Sequence, residues 1–340
     1  MQLTAVSVWA LAYAYGLYFD PGPRAALLPQ RQAAAQPPFW GIYQDGNHTD
    51  DQSRINSTGQ HFSFFGVYVN GCSWGRQFQH GGGGRNCGVD QSVIPFINTY
   101  GVHAGGFISY LNIAVQMAAP GEDPATAFNA ITAGSHDADF NYLFSHVAGT
   151  GLRRFSIRPG WEMNDIPGWD WHADGAQLQF AAAFRHIYTL AHNFASANGV
   201  TIDVIFNPGT TNADPAPMYP GANYVDMLGV DWGGPYPGVV INGAPWNLNI
   251  LCQWITRDST IKHPIYAAAP EGETAVKDYV SIYKGILDTF TNYPACKVGM
   301  WEFYDSTEVN PNFYWQDGNG AQNAVINFIN QSGRGRDRPP

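Results

Sequence analysis

Short apolar runs recur along the chain, separated by longer stretches with helical spacing. Runs at 39–43, 62–69, 103–110, 154–158, 202–207, 225–231, 264–269 and 298–304 are rich in Val, Ile, Phe and Tyr and predict strands. Between them, 91–100, 125–132, 137–150, 176–198, 246–257, 274–292 and 320–331 predict helices. The segment 176–198 carries the period well, with Leu178, Phe180, Phe184, Ile187, Leu190 and Ala191 predicted to share one broad apolar face. Strands alternating with helical crossovers predict an α/β fold, a (β/α)8 TIM barrel in a single domain. The competing architecture is an open doubly wound sheet. It is disfavoured because no GxGxxG follows the first strand, and the glycines at 81–84 precede any helix.

The barrel pattern occupies 39–332. Ahead of it, an apolar run at 3–19 and a Pro-, Ala- and Gln-rich stretch to residue 38 read as an export signal or membrane anchor. The run is marginal in length for a membrane span, and Ala33, Ala34 and Ala35 offer a small-residue cleavage site. Residues 333–340 read as a disordered polar tail. Cys72, Cys87, Cys252 and Cys296 form an even set that fits an oxidising compartment, so the protein is expected to be secreted or periplasmic. Three pairings are open to four cysteines. The preferred one joins Cys72 to Cys87 across a Gly-rich loop and leaves Cys252 for Cys296.

Composition narrows the ligand. Charged residues make up 13% of the 340 while aromatics reach 14%, with 11 Trp and 18 Tyr. Rings in that excess suit a cleft for flat, partly apolar faces such as sugars. A net charge of −10, with basic residues clustered only in the tail, argues against nucleic acid. His103 and His172 have no metal-ligand spacing and no cofactor motif is present, so neither a metal nor a cofactor is expected. A monomer is expected.

Barrel enzymes carry their chemistry on the loops after the strands. The expected strand ends supply Gln44 and Asp45, Asn112, Glu162 and Asn164, Asn207, Asp231 with Trp232 and Tyr236, Glu271 and Glu273, and finally Trp301, Glu302, Tyr304 and Asp305. The stretch after the fourth strand is the densest: Glu162 and Asn164 stand among Trp161, Trp169 and Trp171. Two carboxyl groups facing each other across a cleft are the minimal apparatus for glycoside hydrolysis. The acid must hold its proton near working pH, and the neighbouring indoles would supply the desolvation that does this for Glu162.

The run IRPGWEMN followed by GWDW resembles the strand-four motif of glycoside hydrolase family 26, in which Arg-Pro-x-His-Glu-Met-Asn carries the acid/base. MYPGANYVDMLGVDWGG is similar to that family's strand-six signature. The resemblance implies a (β/α)8 barrel and a retaining two-glutamate mechanism, with Glu162 as acid/base and a nucleophile after strand seven. There Glu271 is first choice and Glu273 second. It also implies roles for Arg158, which would pair with a catalytic carboxylate or form a structural salt bridge, and for Asn164, which would bind a sugar hydroxyl or close its loop. Asp231 and Tyr236 would orient the nucleophile in the sugar site. Asn207, from the fifth strand's end, is a further sugar-site candidate. Trp169, Trp171, Trp232 and Trp301 are candidate stacking platforms, with Trp74, Trp246 and Trp315 behind them. The chain departs from the family at Trp161, where the family keeps His, and in its strand-seven segment. The expected activity is therefore endo-acting hydrolysis of a β-linked polysaccharide, whether β-mannan, β-glucan or a bacterial exopolysaccharide. A catalytically silent carbohydrate-binding barrel and a polysaccharide lyase are the alternatives.

Overall fold

The computed structural model describes residues 39–44, 64–69, 73–75, 89, 93–100, 109–164, 169–209, 214–231, 248–257, 264–268, 288, 292–296 and 298–305. The chain divides into two compact units, Met1–Gln36 and Pro37–Pro340, and every described residue belongs to the second. The leader and the tail lie outside the described residues. Among the described residues, no helix is long and apolar enough to cross a membrane.

Eight parallel strands close into a barrel in chain order: β1 Phe39–Gln44, β2 Phe64–Val69, β3 Tyr110–Val115, β4 Arg154–Pro159, β5 Thr201–Phe206, β6 Met227–Asp231, β7 Ile265–Ala268 and β8 Val298–Asp305. β8 pairs with β1 from Phe39↔Met300 to Gln44↔Asp305, so the sheet has no open edge. The doubly wound alternative is thereby excluded. Among the described residues, five α-helices accompany the strands: α1 Ile94–Tyr100, α2 Pro124–Thr132, α3 Asp137–Gly149, α4 Gln177–Asn198 and α5 Leu248–Arg257. The predicted helices at 274–292 and 320–331 fall almost wholly outside the described residues.

The third strand differs from expectation. It was expected at 103–110 and instead begins at Tyr110, where YLNIAV is buried at every position. A parallel strand covered on both faces shows no alternation. Asn112, expected at the strand's end, is therefore an interior residue.

The core has two parts. Inside the barrel, Phe64, Tyr110, Ile205, Met227, Tyr266 and Met300 form an apolar plug. Between strands and helices, a larger layer is filled by side chains such as Phe128, Phe144, Phe180, Phe184 and Trp301. α4 shows why its sequence docks. Phe180, Phe184, Ile187 and Ala191 are buried, with Phe180 edge-on to Phe128 of α2 at 5.4 Å and Phe184 edge-on to Phe206 of β5 at 5.9 Å. Leu178, expected on that face, is 77% exposed. Two residues correspond to about 200° of helix, which carries Leu178 to the opposite side from Phe180. α4 ends at Gly199, whose φ of 65° is the left-handed conformation that closes a helix. α2 begins with Asp123 accepting from the Thr126 amide at 2.9 Å and with Pro124 in its first turn.

Cys252 of α5 is bonded to Cys296, with Cα atoms 5.2 Å apart, as the preferred pairing requires. Cys72 and Cys87 lie outside the described residues.

Candidate active site at the carboxyl end of the barrel

β4 ends at Pro159 and turns sharply. Gly160 takes φ 57°, and a Cβ there would meet Phe180 at 2.8 Å and Met117 Sδ at 2.9 Å, so glycine is required twice over. Glu162 follows with φ 54°, and no other non-glycine residue among those described has a positive φ. Holding a carboxylate residue there costs about 1–3 kcal/mol. The Glu162 N–H donates to the Asn207 carbonyl at 2.8 Å, which ties the turn after β4 to the end of β5. Asn164 closes the same junction from the other side. Its Nδ2 donates to the Gly209 carbonyl at 3.1 Å, while its Oδ1 accepts from the Gly209 amide at 2.9 Å. Fully buried, Asn164 is a loop clamp and presents nothing to a sugar.

The three indoles form one packed unit. Trp169 and Trp171 stack at 4.8 Å and 16°, Trp161 lies 4.4 Å from Trp171, and the Trp171 Nε1–H donates to the Trp161 carbonyl at 2.8 Å. Trp161 and Trp171 are each only 2% exposed. Trp171 is therefore packed within the unit, and Trp169 is its half-buried member. Trp161 also meets Tyr68 edge-on at 5.2 Å, so the residue standing where family 26 keeps His works here as an apolar wedge. Trp301 corrects the sequence reading more sharply. On β8, Met300 and Glu302 face the barrel interior, so Trp301 faces the helix layer, fully buried and away from the mouth. Trp74 is also spoken for. It stacks on His136 at 3.7 Å and donates to Glu122 Oε2 at 2.7 Å.

Beneath the turn, the barrel holds a buried ionic group. Arg158 Nη1 donates to Asn207 Oδ1 at 2.9 Å and to the two Asp231 oxygens at 3.2 and 3.1 Å. Its Nη2 lies 3.7 Å from Glu302 Oε1. The guanidinium lies over the rings of Tyr68 and Tyr266, at 5.1 and 4.9 Å. Arg158, Asn207 and Glu302 have no exposed surface, and Asp231 has 6%. Gly229 admits Asn207, since a Cβ there would stand 2.9 Å from the asparagine's own Cβ. Burial pushes both Asp231 and Glu302 above the ordinary carboxylate range, and Arg158 opposes that rise for each. One cation thus faces two carboxyl groups that each resist ionisation.

Sequence reasoning placed Arg158, Asn207 and Asp231 in the sugar site and left a structural salt bridge open for Arg158, which its pairing with Asp231 and Glu302 fits. Their burial makes them the floor on which the mouth is built. It did not assign roles to Tyr68, Asn112, Tyr266 or Gly66. No local pattern marks them, because strands buried on both faces carry no readable alternation. Glu271, Glu273, Trp232 and Tyr236 lie outside the described residues. Among the described residues, no group of three or more His, Cys, Asp or Glu side chains could hold a metal ion. What the arrangement offers chemically is a half-buried carboxyl at the barrel mouth, fixed by its backbone and backed by a charged floor.

No protein-family model matches the chain, and no curated protein does. Solved structures similar to it include the Bacillus subtilis mannanase BCman, at 15% identity over 83% of each chain with a TM-score of 0.53. A GH26 β-mannanase from Bacteroides ovatus aligns at 15% identity over 87% of this chain and 89% of its own, with a TM-score of 0.58. GH26C from Muricauda sp. aligns at 14% identity over 87% and 86%, with a TM-score of 0.59. At these identities the likeness is one of fold.

Proposed function

We propose that this chain is a glycoside hydrolase that cleaves a β-linked polysaccharide by double displacement, with Glu162 as acid/base. The observation that carries the reading is the setting of Glu162. It is the residue at the end of β4 held in a left-handed conformation, clamped through its amide to Asn207, half-buried beside the indole unit. Strain kept at a carboxyl group at the carboxyl end of a barrel suits a group that must meet a glycosidic oxygen in one orientation. The motif around Glu162 and the fold shared with mannanases support the same chemistry. In the first step Glu162 protonates the leaving oxygen while a nucleophile after β7, Glu271 ahead of Glu273, attacks the anomeric carbon. In the second, Glu162 takes a proton from the water that releases the sugar.

The substrate class follows from the same comparison: β-mannan first, then β-glucan or a bacterial exopolysaccharide. The Cys252–Cys296 bond supports work in an oxidising compartment, outside the cytoplasm. The test is a product profile on a panel of plant and bacterial polysaccharides, with Glu162→Gln alongside the native chain. Turnover by the variant should fall by about 10²–10⁴-fold, and by much less in the first step on a substrate whose leaving group needs no proton. A fluoroglycoside that traps the intermediate should label Glu271. Near-native turnover by Glu162→Gln removes that residue from the mechanism.

A further inference from the structure

Glu302 has no place in the chemistry described so far, yet it occupies the centre of the barrel. Its Oε1 accepts from the Tyr266 hydroxyl at 3.0 Å and its Oε2 from Asn112 Nδ2 at 3.1 Å. Asn112 is itself held by the Ser156 hydroxyl at 2.8 Å. The room for this carboxyl is made by β2. At Gly66 any Cβ would fall directly on the Glu302 carboxylate atoms, closer than real contacts allow. A glycine, an asparagine and a tyrosine on three strands are thus matched to one acidic side chain on a fourth.

Such a group is costly. Replacing a buried ion by an apolar side chain of similar volume is often neutral or stabilising, so simple core filling would favour a hydrophobic residue here. What the carboxyl does is stand opposite Arg158. Nη1 is held by Asn207 and Asp231, Nη2 lies 3.7 Å from Glu302, beyond hydrogen-bonding distance, and the Tyr68 and Tyr266 rings lie near the guanidinium. The next link leads upward, because Asn207 accepts from Arg158 through its side chain and from the Glu162 amide through its carbonyl.

We infer that Glu302 is a positioning residue. With Asp231 it fixes the Arg158 fork, and Arg158 acting through Asn207 fixes the backbone on which Glu162 stands. The inference rests on the glycosidase reading for its catalytic meaning, but not for its structural content. Among the described residues, the charged and titratable groups facing Glu302 are Arg158 from β4, Asp231 from β6 and Tyr266 from β7, with neutral Asn112 from β3.

The experiment compares the native chain with Glu302→Gln, which keeps the size and removes the charge, and with Glu302→Met, which removes the polarity as well. Three quantities are read: kcat and KM on the best polysaccharide of the panel, the pH profile of kcat/KM, and hydrogen exchange at the Glu162 amide. Both variants should fold, since Arg158 and Asp231 remain as a balanced pair. In both, kcat should fall by roughly 10–10²-fold with KM within about twofold, as expected when a catalytic group loses its alignment. The acidic limb of the profile should move. The Glu162 amide should exchange at least about tenfold faster, while amides within β4 keep their protection. Native kcat, profile and Glu162 protection in both variants would overturn the proposal, and so would loss of the fold in both. If the native chain cleaves nothing in the panel, the glycosidase reading fails, and amide exchange alone still decides the role of Glu302.

Discussion

β4 carries two arginines on its barrel-facing side, four residues apart, and they show what distinguishes the two ends of this barrel. Arg154, at the amino end, reaches Asp203 Oδ2 with Nε and Nη2, each at 3.0 Å, and lies 5.4 Å from the Tyr110 ring. Asp203 also accepts from the Tyr110 hydroxyl at 2.8 Å. The Arg154 side chain is 35% exposed, so water shares in the pairing. Arg158, at the carboxyl end, has no exposure, two carboxyl partners and two tyrosine faces. The same residue types are used at both ends. The first set is a fastening that closes its own hydrogen bonds beside solvent. The second is sealed, holds more acid than base, and is connected by Asn207 to the strained residue above it. The second arrangement lies beneath Glu162, the proposed acid/base, at the end where (β/α)8 barrel enzymes carry their chemistry.

Charge removal should separate the two most strongly. Arg158→Met leaves two buried carboxyl groups without their cation and is expected to cost about 3–5 kcal/mol in urea unfolding, with turnover lost. Arg154→Met should cost about 1 kcal/mol or less, because its pair is partly solvated, and should leave kcat unchanged. Equal costs, or a drop in kcat for Arg154→Met, would erase the distinction. The tyrosines give a finer version. Tyr266 donates to Glu302 and Tyr110 to Asp203, so each Tyr→Phe exchange removes one hydrogen bond to an acidic group. About 1.5–3 kcal/mol is expected for Tyr266→Phe and about 1 kcal/mol for Tyr110→Phe, since Asp203 keeps Arg154. Only Tyr266→Phe should also lower kcat.

The barrel was legible in the sequence because its parallel strands are continuous apolar runs and its helices carry a 3.6-residue stripe. The same continuity hid the interior. YLNIAV and VGMWEFYD are apolar in both parities, so neither tells which of Trp301 and Glu302 faces inward, nor that Asn112 lies within a strand. The fit of Glu302 over Gly66 depends on register around a closed sheet, and no local pattern encodes register. At the mouth, the motif around Glu162 singled out the residue proposed as acid/base. It did not reveal that Trp171 and Asn164 are buried supports, because an indole that stacks on sugar and one that stacks on indole are the same letter.

Protonation gives the smallest and most selective contrast. At the amino end, His192 of α4 lies 2.9 Å from Asp226 Oδ2, which also accepts the Val204 amide at 2.7 Å. Burial disfavours the imidazolium, but the hydrogen bond and field of Asp226 outweigh it, and the His192 pKa lies above its ordinary value. A group with a raised folded pKa contributes fully below its unfolded pKa, about 6.5 for His, and loses that contribution as pH rises through the folded value. His192→Gln should therefore be less stable than the native chain at pH 6, by about 1 kcal/mol or less, and the two curves should converge at alkaline pH. The carboxyl end obeys the same sign rule at lower pH. Asp231 and Glu302 are raised by burial, so their contribution is present below the ordinary carboxylate range and declines as pH rises through their folded values. Glu302→Gln should flatten the native chain's fall in unfolding free energy from about pH 4 upward, whereas the difference between His192→Gln and the native chain should begin to change only above about pH 6.5. Unfolding free energies of the native chain, the two variants and the double variant across pH 4–9 test both halves together. A pH dependence of the double variant that differs from the sum of the two single ones would mean that the two clusters are coupled, and that the ends of the barrel are not independent.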